Sequence, residues 1–190
     1  MSTERATYST IIDPKTYRAL MTKQHRYIQE SDERIIAAIK REKENIDREL
    51  EVVELGCGPA RLTEQVVASI KDIRLTSVDH DHEFIHFGTN LFKEQGLNGR
   101  FVLGDVVEYR HTSLVGCFFS QGMHHHIPKG EKTALYLEGV WAQLARGGAF
   151  ILCDEFLRHY TNSRERLEVM VMWYSHIIAD GLRHGYKLLA

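Results

Sequence analysis

Residues 51 to 66 read EVVELGCGPARLTEQV, an apolar run that ends in two closely spaced glycines and leads straight into an amphipathic pattern. The first part suits a strand and the last part a helix, with Gly56 and Gly58 in the turn between them. Glycine adopts backbone angles closed to other residues and lets a ligand approach the main chain. Such a turn between a strand and a helix is a nucleotide-binding element. Its dinucleotide form, GxGxxG, requires a small residue at the third glycine, where this sequence has Arg61. That form is excluded.

Outward from this turn, five apolar runs mark strands: LEVVEL (50 to 55), IRLTSV (73 to 78), RFVL (100 to 103), LVGCFFS (114 to 120) and GAFILC (148 to 153). All but the third are nearly continuous and β-rich, as strands covered on both faces are. Helical patterns lie at 60 to 71, 82 to 95 and 130 to 145, and the short segment 105 to 113 stays unassigned. Alternating strands and helices predict an α/β fold, an open, mostly parallel sheet flanked by helices with right-handed crossovers. Before the core, residues 1 to 49 form a helical extension. Pro14 after Asp13 marks one start, and SDERIIAAIKREKEN (31 to 45) another, with Ser31 as its cap. The core spans 50 to 157. Residues 158 to 190 form a C-terminal segment whose stretch from 163 onward reads as one amphipathic helix, with Leu167, Met170, Val171, Tyr174, Ile177, Ile178 and Leu182 at helical spacing. That stripe suits either a core-facing surface or a homodimer contact.

Composition sets the surroundings. A length of 190 residues with 43% hydrophobic and 26% charged content is that of one soluble domain. Lys+Arg 24 against Asp+Glu 26 leaves a formal charge of −2, which provides no grip on a phosphate backbone and argues against nucleic acid as partner. No apolar stretch reaches the length of a membrane span, and the start MSTERATYST lacks the apolar core of a signal peptide, so a cytoplasmic protein without membrane attachment is expected. Cys57, Cys117 and Cys153 each lie in or beside apolar runs, as buried reduced thiols do, and do not form a CxxC pair.

Five segments share a resemblance. ELGCGPA (54 to 60) resembles the E/D-x-G-x-G-x-G motif of S-adenosylmethionine-dependent methyltransferases of the Rossmann-like class I, with Ala60 for the last glycine. LTSVDHD, VLGDVVEY, FFSQGMHHHIP and LARGGAFILCDEF resemble that family's later motifs in order, with Arg146 where proline is usual, so the likeness covers about residues 50 to 157. It implies S-adenosyl-L-methionine as cofactor, S-adenosyl-L-homocysteine as product, and cofactor contacts at Glu54, Gly56, Gly58, Asp79, His80, Gly104, Asp105, Val106 and Ser120. In the family the residue at Asp79 binds both ribose hydroxyls, and the one at Asp105 accepts from the adenine amino group. The chemistry is consistent: a carboxylate roughly twenty residues past the glycine turn is a standard acceptor for a ribose diol, and a pure acceptor selects an exocyclic amine. A simpler reading stands beside each: the glycines make a tight turn, and Asp79 or Asp105 caps a helix, with Asp81 the better cap after the second strand. The family also adds two strands after the fifth, which the pattern after residue 163 does not offer.

His124, His125 and His126 end the fourth strand, where the family places its acceptor and the group that deprotonates it. Three consecutive side chains on a loop diverge, so no metal site is expected there. An imidazole with an ordinary pKa of about 6.5 can take a proton at neutral pH. One of the three, His125 foremost, or Glu155 is therefore the candidate base; the alternative is that one histidine packs beneath the cofactor and the others face solvent. Acceptor-facing candidates are Tyr17, His25, Tyr27, His125, Glu155, Tyr160 and Trp173, whose aromatic members equally suit helix packing. The resulting expectation is methyl transfer to an O or N atom of a small molecule. The alternative is a cofactor-binding or regulatory protein without catalysis.

Overall fold

The computed structural model describes residues 7–24, 28–154, 161–165, 167–172 and 175. The chain divides into two compact units, 1–154 and 155–190. Five strands, β1 (Leu50–Leu55), β2 (Ile73–Asp79), β3 (Arg100–Leu103), β4 (Val115–Gln121) and β5 (Leu144–Cys153), form one parallel sheet in the order β3-β2-β1-β4-β5. The central strands read as continuous apolar runs because both faces are covered: Val52 and Val53 point to opposite faces and neither is exposed to solvent.

One face packs against α2 (Ile28–Glu44) and α3 (Arg61–Ser69) through Ile35, Ile39, Leu62 and Val66. The other packs Val53, Leu55, Val78 and Phe118 against Met123, Ile127, Leu135 and Val140. Before them, α1 (Pro14–Gln24) starts as its sequence requires, with Asp13 Oδ1 accepting from the Thr16 N–H at 2.9 Å. A 3-10 turn at Tyr8–Thr10 precedes it. The fourth helix, α4 (His82–Gln95), leads from β2 to β3 and ends on Gly96 in the left-handed conformation.

Three boundaries depart from the sequence reading, and one segment it left unassigned is placed. Helix α2 begins at Ile28, not at a Ser31 cap: Ile28 is buried, and the Ser31 hydroxyl donates to the Ile28 carbonyl at 3.0 Å from inside the helix. The segment 105 to 113 is a single turn and then loop, its N–H groups at Glu108 and Tyr109 returning to the Asp105 carbonyl. The helix foreseen over 130 to 145 is a π-helix at Ala134–Val140 followed by a 3-10 turn at Trp141–Gln143. β5 accordingly starts at Leu144, which pairs with Val115, whereas Cys117 already pairs with Ala149. Extra β5 residues bulge between those pairs, Gly147 taking a φ of +80°.

In the second unit Asn162 Oδ1 accepts from the N–H groups of Arg164 and Glu165, both at 3.0 Å, and residues 163–165, 167–172 and 175 are helical. No sixth or seventh strand occurs among the described residues. No helix among them is long and apolar enough to cross a membrane.

Candidate functional site

In an open parallel sheet the ligand crevice lies outside the carboxyl ends of the strands, where strand order reverses. Here that point is between β1 and β4. The turn after β1 is built from left-handed residues: Gly56 at φ +77°, Gly58 at +51° and Ala60 at +58°. The N–H groups of Gly56 and Cys57 both donate to the Val78 carbonyl, at 2.8 and 3.1 Å, tying the turn to β2. A Cβ on Gly56 would lie 2.5 Å from Cγ of Met123. The glycine thus seats the loop after β4 against the turn as well as opening the main chain.

Beneath the turn is Glu54, only 3% exposed. Its Oε2 accepts from Thr63 Oγ1 at 2.6 Å and Ser77 Oγ at 2.8 Å, linking α3 to β2. Burial pushes its carboxyl up to about 7 against the pull of those two hydrogen bonds, and the neighbouring Asp79 adds to the rise. Asp79 ends β2 with Oδ2 accepting from the Gly58 N–H at 2.8 Å and Oδ1 from the Asp81 N–H at 2.9 Å. Its carboxyl too is raised, by burial first.

The helix-capping role falls to Asp81. Its Oδ1 accepts from Glu83 and Phe84, and its Oδ2 from the Ser9 N–H at 2.9 Å. His80 Nδ1 lies 3.6 Å from Asp79 Oδ1. At the end of β3 the Gly104 N–H donates to the Asp79 carbonyl at 2.9 Å, and Asp105 Oδ1 accepts from Val107 at 2.8 Å. The structure therefore gathers Glu54, Gly56, Gly58, Asp79, His80, Gly104 and Asp105 along the carboxyl ends of β1, β2 and β3. Val106 packs into the core below them, and Ser120 is fully buried at the end of β4, its Oγ without a hydrogen-bond partner among the described residues.

The three histidines form one 3-10 turn, and their rings reach three different elements. His124 stacks on Tyr136, bonds its hydroxyl through Nδ1, and accepts from Lys132 Nζ at 3.0 Å through Nε2; burial and then the Lys132 charge lower its pKa. His126 meets the Tyr8 hydroxyl at 3.1 Å and is lowered by burial. His125 places Nδ1 2.7 Å from Oδ1 of Asp154, a carboxylate with no exposed side-chain surface directly after β5. Tyr17 stacks on Phe84 and packs on Tyr8, with ring centroids at 5.3 and 5.6 Å. Burial, then the charges of Tyr8 and Asp79, push its hydroxyl up to about 12. His25, Tyr27, Glu155, Tyr160 and Trp173 lie outside the described residues.

A polar network absent from the sequence reading lies beside the turn. Arg61 donates to both carboxylate oxygens of Asp32 on α2, through Nη1 to Oδ2 and through Nη2 to Oδ1 at 2.7 Å. Nη2 also donates to Gln121 Oε1, at the end of β4, at 2.7 Å. Burial alone would raise the Asp32 carboxyl, but the hydrogen bonds from Arg61 and Gln121 and the guanidinium charge hold it below its ordinary value. Arg61 was visible only as the residue that breaks GxGxxG. Asp32 carried a signal of its own: it shares a helix face with Ile28, Ile35 and Ile39, an acid on an apolar stripe.

Residues 52–148 match the family model described as a methyltransferase domain. No curated protein matches the chain in sequence. Among solved structures, 739 chains match. Coclaurine N-methyltransferase bound to N-methylheliamine and S-adenosylhomocysteine superposes at a TM-score of 0.51 and 18% identity, over 64% of this chain and 35% of that one. An S-adenosylmethionine-dependent methyltransferase from Clostridium acetobutylicum superposes at 0.57 and 22% identity, over 73% and 54%. The plantazolicin methyltransferase BpumL, in complex with a triazolic desmethylPZN analog and S-adenosylhomocysteine, superposes at 0.60 and 14% identity, over 86% and 64%. The chain thus spans about a third of the first of these and about half of the second.

Proposed function

The chain belongs to the S-adenosylmethionine-dependent methyltransferases of Rossmann-like fold, and from that premise we propose that it methylates an oxygen or nitrogen atom of a small molecule, with His125 as the general base. The observation that carries this reading is the His125–Asp154 pair, set at the carboxyl ends of β4 and β5 beside the glycine turn.

The donor set fits the cofactor. Asp79 offers two carboxylate oxygens to a ribose diol, Asp105 an acceptor to the adenine amine, and Glu54 with Asp79 an acidic lining suited to a cation. When bound, S-adenosylmethionine supplies an electrophilic methyl group on a positively charged sulfur. The chain's own residues contribute alignment and a proton acceptor, the effects that such a displacement needs. Asp154 accepts from Nδ1–H of His125, which sets the tautomer and makes Nε2 the basic nitrogen. That nitrogen takes the proton of the acceptor's hydroxyl or ammonium group. His124 and His126 are held by Lys132, Tyr136 and Tyr8 and shape the loop.

A small acceptor is supported by the ligands of two structural neighbours, N-methylheliamine and the desmethylPZN analog. The near-balanced charge, which provides no surface for a nucleic-acid backbone, agrees with it. The test is turnover of methyl-labelled S-adenosylmethionine against a panel of small alcohols, phenols and amines. Label should appear in one acceptor class. Cofactor binding with no transfer across the panel would assign the chain to the non-catalytic alternative.

A further inference from the structure

We propose that Lys132 and Tyr136 bind a carboxylate group carried by the methyl acceptor, which makes the small-molecule substrate an anion; this deepens the methyl-transfer reading above and rests on it. The two side chains lie one turn apart on the helical segment that follows the histidine loop. Both meet His124, the chain neighbour of the proposed base: Lys132 Nζ lies 3.0 Å from Nε2, and the Tyr136 hydroxyl bonds Nδ1 beneath the stacked rings. All three side chains belong to half-buried residues. The cations at the glycine turn are each matched by a carboxylate, Arg18 by Glu64 and Arg61 by Asp32. Lys132 has no such partner among the described residues, and its hydrogen bond goes to an imidazole that burial and the Lys132 charge keep neutral. A partly desolvated ammonium without a counterion is costly, and one set beside the reacting groups suits an anionic ligand.

The hydrogen-bond directions favour the same ligand. An ammonium can only donate, so Nε2 of His124 accepts from Lys132 and the imidazole proton sits on Nδ1. Nδ1–H then donates to the Tyr136 oxygen, which leaves the Tyr136 O–H to donate elsewhere. Lys132 keeps its remaining N–H donors as well, so one helix face presents a charged donor and a neutral donor side by side. A carboxylate, a pure acceptor, takes both. The nearby carboxylate of Asp154 is turned onto His125 Nδ1 and does not contend for Lys132.

The experiment adds matched pairs to the acceptor panel, each phenol or amine offered as the free carboxylate and as its methyl ester, para-hydroxybenzoate and meta-aminobenzoate among them, with S-adenosylmethionine saturating. The parent should favour the carboxylate form by about 10- to 100-fold in kcat/KM, the range for a charge-assisted hydrogen bond. Lys132→Gln, whose amide can still donate to His124 Nε2, should bring that ratio close to one through a raised KM for the carboxylate form. Lys132→Arg keeps the charge and should retain more of the preference than Lys132→Gln does. Tyr136→Phe should lower the ratio by about 2- to 10-fold, as the loss of a neutral donor does. An ester turned over as well as its carboxylate by the parent, or a carboxylate preference that survives Lys132→Gln, overturns the proposal and leaves the methyl-transfer reading standing. No transfer to either form in any pair overturns the methyl-transfer reading itself, and this inference with it.

Discussion

Replacing His125 by alanine is expected to lower turnover by about 10²- to 10⁴-fold while leaving affinity for S-adenosylmethionine unchanged, the usual worth of a positioned base. The loss should shrink as pH rises, because an acceptor that ionises in solution no longer needs an imidazole to take its proton. Asp154→Asn should follow His125→Ala in direction, since an amide in place of the carboxylate no longer stabilises the Nδ1–H tautomer or the imidazolium. His124→Ala and His126→Ala should cost much less, because those rings are tied to Lys132, Tyr136 and Tyr8. The measurement is a pH–rate profile of each variant with the cofactor saturating. Profiles of the three histidine variants that superimpose on the parent would remove the base and leave alignment alone to carry the reaction.

Asp79→Ala should weaken cofactor binding by about 10²- to 10⁴-fold, from two charge-assisted hydrogen bonds at about 1.5–3 kcal/mol each. Asp79 also holds the N–H groups of Gly58 and Asp81, so the substitution loosens the glycine turn. A second variant separates the two effects. Asp79→Asn keeps one carbonyl acceptor and should fall between the parent and alanine. Titration of both variants with S-adenosylhomocysteine, with melting of the free proteins as a check on folding, makes the distinction. Unchanged affinity in both would reduce Asp79 to a residue that braces the turn.

The central strands were legible because burial on both faces writes itself as uninterrupted apolar sequence: β1 falls on the run that marked it, and β2 and β4 within one residue; the edge strand β3, with no buried residue, falls on its short run as well. β5 was legible only in its second half. Its start at Leu144 depends on pairing with Val115 across a bulge, a tertiary choice that no local pattern in LARGGA encodes. A helical periodicity over 130 to 145 likewise could not announce π-winding, in which the Trp141 N–H is shared between the Tyr136 and Leu137 carbonyls.

At the site, the glycines and acids of β1, β2 and β3 could be found by spacing, since each sits on one turn of one strand-to-helix unit. Asp154 could not. The sequence reading named Glu155, which lies outside the described residues, and the place of Asp154 beside His125 depends on how β5 is registered against β4, which only the sheet defines. Asp32 and Arg61 are 29 residues apart and meet because α2 and α3 cover the same sheet face. Read locally, the first is an acid on the apolar stripe of its helix, which signals burial but names no partner, and the second an irregularity in a glycine motif.

Calorimetric titration of the purified protein with S-adenosylmethionine, S-adenosylhomocysteine and NAD tests the central claim most directly, because Arg61 stands where a pyrophosphate-binding turn needs a small residue. Saturable binding of both adenosyl ligands with no response to NAD is the predicted result; binding of NAD with silence toward both adenosyl ligands would contradict it.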